Sequence, residues 1–398
     1  MKILVALSRF PWPTDKGDKL RAWNHIQGLA TEHDVYLFCT SDEPVSEEQL
    51  TRVSQVCKDI TVYKLSKFRI IFRLLKNIWS FLPFQIAYFT DKKAVKKFQT
   101  LCREIKPDVI FCQLARMAEY CRDQKNVFKL IDYQDAFSKG LQRRLEHSSR
   151  LKRWLIRNEF NRLKQYERSI FSDFDCQTII SAQDAQFIDH PRKSELIVLP
   201  NGVDTDYYKP QPAVQTVDLL FTGNMQYQPN VNCVVYLVKQ VLPILKNEFP
   251  HIQLVAAGKN PSGELSDLKS RNLQLTGWVD DLRNYYQQSR LFVAPMQIGI
   301  GMQNKILEAM AMGMPVITSS LANNAIGGVH GKNVWIADTP EKVAEGISFL
   351  LNNTELAIRL GRNARKLMVE EFSWQNHNQR LNALITGYTP NEKSFRNN

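Results

Sequence analysis

The sequence is short of nearly everything that would mark a secreted, metal-binding or dinucleotide-dependent protein. Its seven cysteines (39, 57, 102, 112, 121, 176 and 233) form no Cys-x-x-Cys pair. An odd number of scattered thiols does not suit a disulfide scaffold, so a reducing cytoplasm is expected. The seven histidines show no metal-ligand spacing, and no metal site is expected. No Gly-x-Ser-x-Gly elbow is present, which removes one familiar hydrolase signature. The turn after the first apolar run reads SRFPWPTDKGDK, with one glycine where a dinucleotide-binding turn needs three. Long apolar runs are also missing. The opening MKILVALS carries five apolar residues before Arg9 and Pro-Trp-Pro; it reads as a buried strand and not as a targeting signal. Repeats at solenoid spacing and low-complexity tracts are absent as well.

What is present is an ordinary apolar content, 44% over 398 residues. A chain of that length outgrows one hydrophobic core, so two domains are expected. Positive charge is in excess, and lopsidedly so. Residues 1–200 hold 34 Lys+Arg against 24 Asp+Glu, a surplus of 10, while the rest hold 18 against 16. The first half is therefore expected to face a phosphate-bearing acceptor, a membrane surface or nucleic acid. Nucleic acid is the weakest of these, since no recognised module accompanies the charge, and none is expected as a partner.

Short apolar runs alternate with amphipathic stretches throughout. ILVAL, DVYLFC, DVIFC, FKLID and CQTII occupy the first half; VDLLFTG, HIQLVAAG, NLQLTG, LFVAP and MPVITS follow. Each series implies an α/β, doubly wound parallel sheet covered on both faces. Between them, LPNGVDTDYYKPQPA packs three prolines and an Asn-Gly into one polar stretch, as an interdomain linker would. The expected domains are 1–200 and 201–372, with a closing helix over 373–388 that crosses back to the first domain, and a frayed tail.

The strongest local signal is GIGMQNKILEAMAMGMPVITS at 299–319. Met302–Met312 reads as a helix opened by a glycine-rich loop and stopped by Gly313. Its first turn then presents unpaired N–H groups and a positive dipole end at the carboxyl end of a strand, which suits a diphosphate. Lys305 and Glu308 share one face, placing an ammonium for phosphate oxygens and a carboxylate for ribose hydroxyls. The plain structural alternative is an exposed ion pair three residues apart.

This segment resembles the donor-binding helix of retaining glycosyltransferases of family 4, the glycogen-synthase-like group. The resemblance continues through LPNGVDTDYYKP, LTGWVDDLRNYYQQSRLFVAP, the opening ILVALSRFPWPTDKGDKLRAWNHIQGLA and the closing FSWQNHNQRLNALI. Within the group, GNMQYQPN and GMQNKILEAMAMG are most similar to sugar transferases of bacterial exopolysaccharide clusters. The resemblance implies two Rossmann-like domains facing across a cleft, the GT-B architecture, with an acceptor-binding first domain and a donor-binding second.

It also implies a retaining hexosyltransferase, expected in the cytoplasm and, should the basic segment 67–97 dock there, on the inner face of the cytoplasmic membrane. Such an enzyme uses a UDP- or GDP-linked sugar without metal or cofactor and acts on a glycan or polyprenyl-linked acceptor. Carried onto this chain, the donor residues are Gly17, Gly223, Asn224, Val279, Gly301, Met302, Gln303, Lys305 and Glu308. Gln134 and Asp135 face the acceptor or the sugar, and Lys305, Glu308 and Asp135 are the catalytic set. A nucleotide-sugar 2-epimerase of the same fold is the alternative.

Three positions depart from the family's pattern. Ile300 stands where a first glutamate is common, leaving the backbone of Gly299–Met302 to hold the sugar. Gly223-Asn224 replaces Gly-Arg, with Lys259 as a candidate substitute cation, and Gln134-Asp135 replaces His-Asp. Asp173, Asp175, Asp204 and Asp206 read as solvated loop carboxylates, and the histidines as surface or satisfied structural residues.

Two basic segments remain. In 67–84, Ile71, Leu74, Leu75, Ile78 and Leu82 form an apolar stripe with Trp79 at its edge, beside Lys67, Arg69, Arg73 and Lys76, with Lys92, Lys93, Lys96 and Lys97 following. Residues 67–97 therefore either lie in an anionic membrane interface or cover the sheet with a solvated basic face. The cluster Arg143–Arg168, with ten Lys/Arg counted from Lys139, reads as a long solvated helix lining the acceptor side.

Overall fold

The structure is a computed structural model that describes residues 1–146, 149–259, 263–268, 270–298 and 302–387. The chain divides into two compact units, Met1–Pro200 with the chain from His377 onward, and Asn201–Asn376.

In the first unit, β1 (Lys2–Leu7), β2 (Asp34–Ser41), β3 (Asp59–Lys64), β4 (Val109–Gln113), β5 (Phe128–Asp132), β6 (Cys176–Ile179) and β7 (Ile197–Val198) form one parallel sheet. The order is β3-β2-β1-β4-β5-β6-β7. Near-continuous apolar strands are what a sheet covered on both faces requires. The two-residue period divides β1 between two cores. Ile3, Val5 and Leu7 join Trp23, Ile26 and Leu29 of the helix Gly17–Ala30, together with Leu381 and Ile385 from the end of the chain. Leu4 and Ala6 face the other way, towards Phe98 and Leu101 of the helix Lys92–Ile105.

The second unit repeats the plan with β8 (Val217–Thr222), β9 (Leu254–Ala257), β10 (Leu273–Leu275), β11 (Ser289–Ala294), β12 (Val316–Thr318) and β13 (Trp335–Ile336). Their order is β10-β9-β8-β11-β12-β13, again all parallel. The strand order reverses between β1 and β4 in one sheet and between β8 and β11 in the other. The crevice outside the carboxyl ends at such a reversal is where open α/β sheets bind ligands.

The apolar runs read from sequence are all strands, but three edge strands carried no clear signal. β3 is exposed at both ends and only half-buried between them, and β7 and β13 have two residues each. The cluster Arg143–Arg168 is not one solvated helix. The helices Phe137–Glu146 and Arg150–Phe171 divide the segment, and Leu163, Tyr166, Ile170 and Phe171 are buried. Lys139 is buried against Asp184 at 3.1 Å.

Asp173 pairs with Arg122 at 2.8 Å and Asp175 accepts from the Lys129 amide, so neither is merely solvated. His25 and His377 are fully buried. Burial, helped by the Arg21 charge, lowers the His25 pKa to about 4, so its ring is neutral beside Asn378. Among the described residues no helix is long and apolar enough to cross a membrane.

Candidate functional site

The helix of the strongest motif runs Asn304–Ala311, starting two residues later than the sequence suggests. Gln303 is its N-cap in extended conformation, and no side chain caps it. The Ile306 amide donates to the Gln303 carbonyl at 2.9 Å, while those of Asn304 and Lys305 have no acceptor among the described residues and are left to an outside one. Ile306, Leu307, Met310 and Ala311 anchor its buried face, and Gly313 ends it at φ +71°, the left-handed stop that glycine adopts without strain. Gly299, Ile300 and Gly301 lie outside the described residues. Met302 and Gln303 are buried, and Asn201 of the linker donates to the Asn304 side chain at 3.1 Å.

Lys305 occupies the second position of this helix at the β8/β11 reversal. It does not form the exposed ion pair of the plain structural alternative: no Glu308 oxygen is within ion-pair distance of it. Its Nζ donates to Asn230 Oδ1 and Gln303 Oε1, each at 2.9 Å, and stands 5.5 Å from the Phe221 ring centroid. Burial lowers its pKa to about 8, opposed by Cys233 and Glu308. A lysine carries three donors, and the two used among the described residues go to neutral amides.

The loop after β8 builds the floor. Gly223 takes φ +152°, and a Cβ there would come 2.6 Å from Asn230 Nδ2 and 3.2 Å from Lys305 Cε. The Asn230 amide also donates to the Asn224 carbonyl at 2.9 Å, so one asparagine ties this loop to the ammonium.

Glu308 lies one turn along. Tyr286, buried in the helix Arg283–Gln288 that precedes β11, donates to Glu308 Oε2 at 2.9 Å and shares a 2.8 Å hydrogen bond with Thr222. Burial raises the Glu308 carboxyl above its ordinary value, while Tyr286 and Lys305 oppose the rise.

Nearby in sequence, Val279 is half-buried between exposed Trp278 and Asp280, and the Trp278 indole donates to Asp280 at 2.9 Å. The Lys259 ammonium stands 5.9 Å from the Trp278 ring. Asn230 and Tyr286 were not singled out as site residues, although both lie inside quoted motifs. Their partners are 75 and 22 residues away, and no local spacing encodes such pairs.

In the first unit, Gly17 opens its helix in free space, where a Cβ would meet nothing within 4 Å. Gln134 and Asp135 follow β5. Gln134 is buried at φ +58°, in the left-handed region that a non-glycine residue holds only when its surroundings fix it. Its carbonyl accepts from Ile180 at 2.9 Å, and Gln113 reaches its side chain at 3.5 Å. Asp135 is pushed up to about 7, first by burial and then by Asp184, against Arg21 and Lys139. Among the described residues no cluster of His, Cys, Asp or Glu is arranged to hold a metal ion.

Residues 216–353 match the family described as glycosyl transferases group 1. The second unit carries a group 1 glycosyltransferase domain. Over 388 residues the chain is 24% identical to a 44.6 kDa protein of the cps region of Klebsiella pneumoniae, covering 93% of this chain and 96% of that one. Over 218 residues it is 26% identical to a GDP-mannose-dependent alpha-(1-6)-phosphatidylinositol monomannoside mannosyltransferase of Mycobacterium tuberculosis, covering 49% and 56%. The crystal structure of Anabaena HepE in complex with UDP superposes with a TM-score of 0.69 at 15% identity, covering 98% of this chain and 100% of that one. The fold of this glycosyltransferase is GT-B.

Proposed function

We propose that this glycosyltransferase moves a sugar from a nucleotide diphosphate sugar to a glycan or lipid-linked saccharide, with retention of anomeric configuration, in bacterial surface or exopolysaccharide synthesis. The observation that carries the proposal is Lys305. A cation buried at the mouth of an uncapped helix, facing neutral amides, is the arrangement a departing diphosphate needs. Glycosyl transfer builds positive charge on the sugar and negative charge on the leaving group, and fixed donors aimed at that negative charge lower the barrier.

In this reading Lys305 and the first-turn amides hold the diphosphate, with the backbone at Gly223, Asn224 and Met302 beside it. Glu308, oriented by Tyr286, accepts from ribose hydroxyls, and the Val279 backbone meets the base. Gly17, Gln134 and Asp135 serve the sugar or acceptor. Attack comes from the face the phosphate leaves, assisted by that phosphate, so the configuration is kept without a second carboxylate. The ammonium and helix amides supply the positive charge, so no metal or other cofactor is required. The reaction is placed on the cytoplasmic side of the membrane.

Support for the donor class comes from HepE, whose structure holds UDP, and from the mycobacterial relative, which is GDP-mannose-dependent. Nothing in the geometry or these relatives favours the epimerase alternative. A thermal-shift series with UDP, GDP and their sugars in EDTA tests the reading. One nucleotide should raise the melting temperature, and product analysis should show the donor's anomeric configuration. Stabilisation that requires manganese, or an inverted product, would overturn the corresponding part.

A further inference from the structure

Apart from the donor site, one surface of the first unit is not explained by folding. The helix Lys67–Lys76 turns a narrow stripe, buried Ile70 and half-buried Leu74, against Leu65, Phe89 and their neighbours. Arg73 fixes it there, donating to Asp91 at 2.5 Å and to the Tyr88 carbonyl at 2.8 Å. With that stripe turned inward, Phe68, Ile71, Phe72 and Leu75 point outward. The turn beyond adds Ile78, Trp79 and Phe81, the last two 86% and 91% exposed.

A second exposure adjoins the first. Arg162 of the helix Arg150–Phe171 donates to the carbonyls of Asn77 and Ile78, and an open notch of about 280 Å³ lies between Trp79 and Phe81 on one wall and Asn158 and Arg162 on the other. Two turns before Arg162, at the spacing that keeps one face, stand exposed Trp154 and Leu155. Nine of the 21 large apolar side chains exposed among the described residues fall in these two segments. Single exposed apolar residues need no explanation, but a contiguous patch of aromatics marks an interaction surface.

We infer that this surface, the Lys67–Phe81 segment with Trp154 and Leu155, inserts into the headgroup layer of an anionic lipid bilayer. Charge decides the occupant. Residues 67–81 contain Lys67, Arg69, Arg73 and Lys76 and no acidic residue; Arg69 and Arg73 pair with Asp91, while Lys67 and Lys76 have no ion-pair partner among the described residues and supply the open charge. Lys152, Arg153 and Arg157 are exposed around Trp154. A second copy of the chain would bring these like charges together, since a two-fold interface places the same patch on both sides.

An anionic bilayer takes the apolar side chains and the cations at once. A ten-residue helix is about 15 Å long, too short to span, so it lies in the interface. Lys92, Lys93, Lys96 and Lys97 belong to a different surface. They are exposed on the helix Lys92–Ile105, whose other face is buried on the sheet, and no exposed large apolar residue accompanies them.

Cosedimentation of the full chain with phosphatidylcholine vesicles, with and without phosphatidylglycerol, tests the inference. Wild type should bind the anionic vesicles, and Trp79→Ser/Phe81→Ser should lower binding about tenfold without changing the melting temperature. Trp154→Ser should weaken it in the same direction, Lys67→Glu/Lys76→Glu should lower the preference for phosphatidylglycerol, and reversal of the four lysines at 92–97 should have the smallest effect. Three results would overturn it: no sedimentation of wild type, equal recovery of Trp79→Ser/Phe81→Ser, or a stable dimer in solution that this variant dissociates while vesicles recover neither form.

Discussion

Two buried cations, one in each unit, stand near the carboxyl ends of the two sheets, and they are held in opposite ways. Arg21 is fully buried and fully matched. It donates to both oxygens of Asp132 at 2.6 and 3.0 Å and to the carbonyls of Leu199 and Pro200, while Thr178 donates to the same carboxylate. Lys305 meets only neutral oxygens among the described residues. A buried charge with a carboxylate and carbonyls around it is complete, and serves the fold. One held by amides alone has been oriented but not neutralised, which is the condition of a group awaiting an anion. The pKa directions agree. Although burial opposes it, the Arg21 guanidinium holds the Asp132 carboxyl below its ordinary value, whereas burial leaves Lys305 at about 8.

Breaking the matched pair should therefore have the larger structural effect. Asp132→Ala leaves the Arg21 guanidinium buried without its carboxylate, which commonly costs about 3–5 kcal/mol. Urea unfolding should show a loss of that size, and a loss below about 1 kcal/mol would mean the pair is relaxed by solvent. Because the folded-state pKa of Asp132 is depressed, its contribution is present above the unfolded value and disappears as pH falls through the folded one. The wild-type advantage over Asp132→Ala should shrink in acid.

The contrasting variant is Lys305→Ala. Removing one donor aimed at developing negative charge costs about 2.7–4 kcal/mol of transition-state stabilisation, or roughly 10²–10³ in turnover. Yet the fold should not weaken with it, because the ammonium makes no ion pair among the described residues and is buried at a cost. The variant should melt at or above the wild-type temperature at pH 7 while losing most transfer. Normal turnover by a folded Lys305→Ala protein would return the motif to a purely structural role.

The same contrast shows what the sequence could reveal. The repeated apolar runs, the glycine stop at 313 and the placement of Lys305 at a helix start were legible because each is a local pattern of composition, period or capping. The surroundings of Lys305 were not. One of its amide partners, Asn230, lies 75 residues away in the helix Gln228–Tyr236, and a lysine followed three residues later by glutamate reads as an ion pair until Tyr286 is seen to hold the carboxylate. Edge strands β7 and β13 escaped for a different reason: two residues are too few to show a period. The stripe in 67–84 was visible as amphipathic, but which side faced the core depended on Ile70, which the sequence reading had left out of the stripe. Leu74 faces the small core of Leu65 and Phe89, and Leu82 packs on the main one, while Ile71, Leu75 and Ile78 are exposed.

A last prediction sharpens the comparison through pH. With a folded pKa of about 8, Lys305 is half neutral near that pH in the ligand-free protein. A diphosphate beside it favours the ammonium, so binding should be accompanied by proton uptake around and above pH 8. The sign follows from the two states: the complex holds the proton more tightly than the free protein, so affinity must fall as pH rises past 8. If the anion binds only the charged form, the fall approaches tenfold per pH unit, or about 1.4 kcal/mol. The nucleotide's second phosphate ionisation is complete below this range, which leaves the ammonium as the titrating partner. Calorimetry of UDP or GDP binding at pH 7, 8 and 9 in buffers of differing ionisation heat would report both the affinity and the protons taken up. Lys305→Arg, whose guanidinium stays charged, should bind with little pH dependence over the same range. A pH-independent affinity in wild type would mean that the ammonium does not face the diphosphate, and that the helix amides hold it alone.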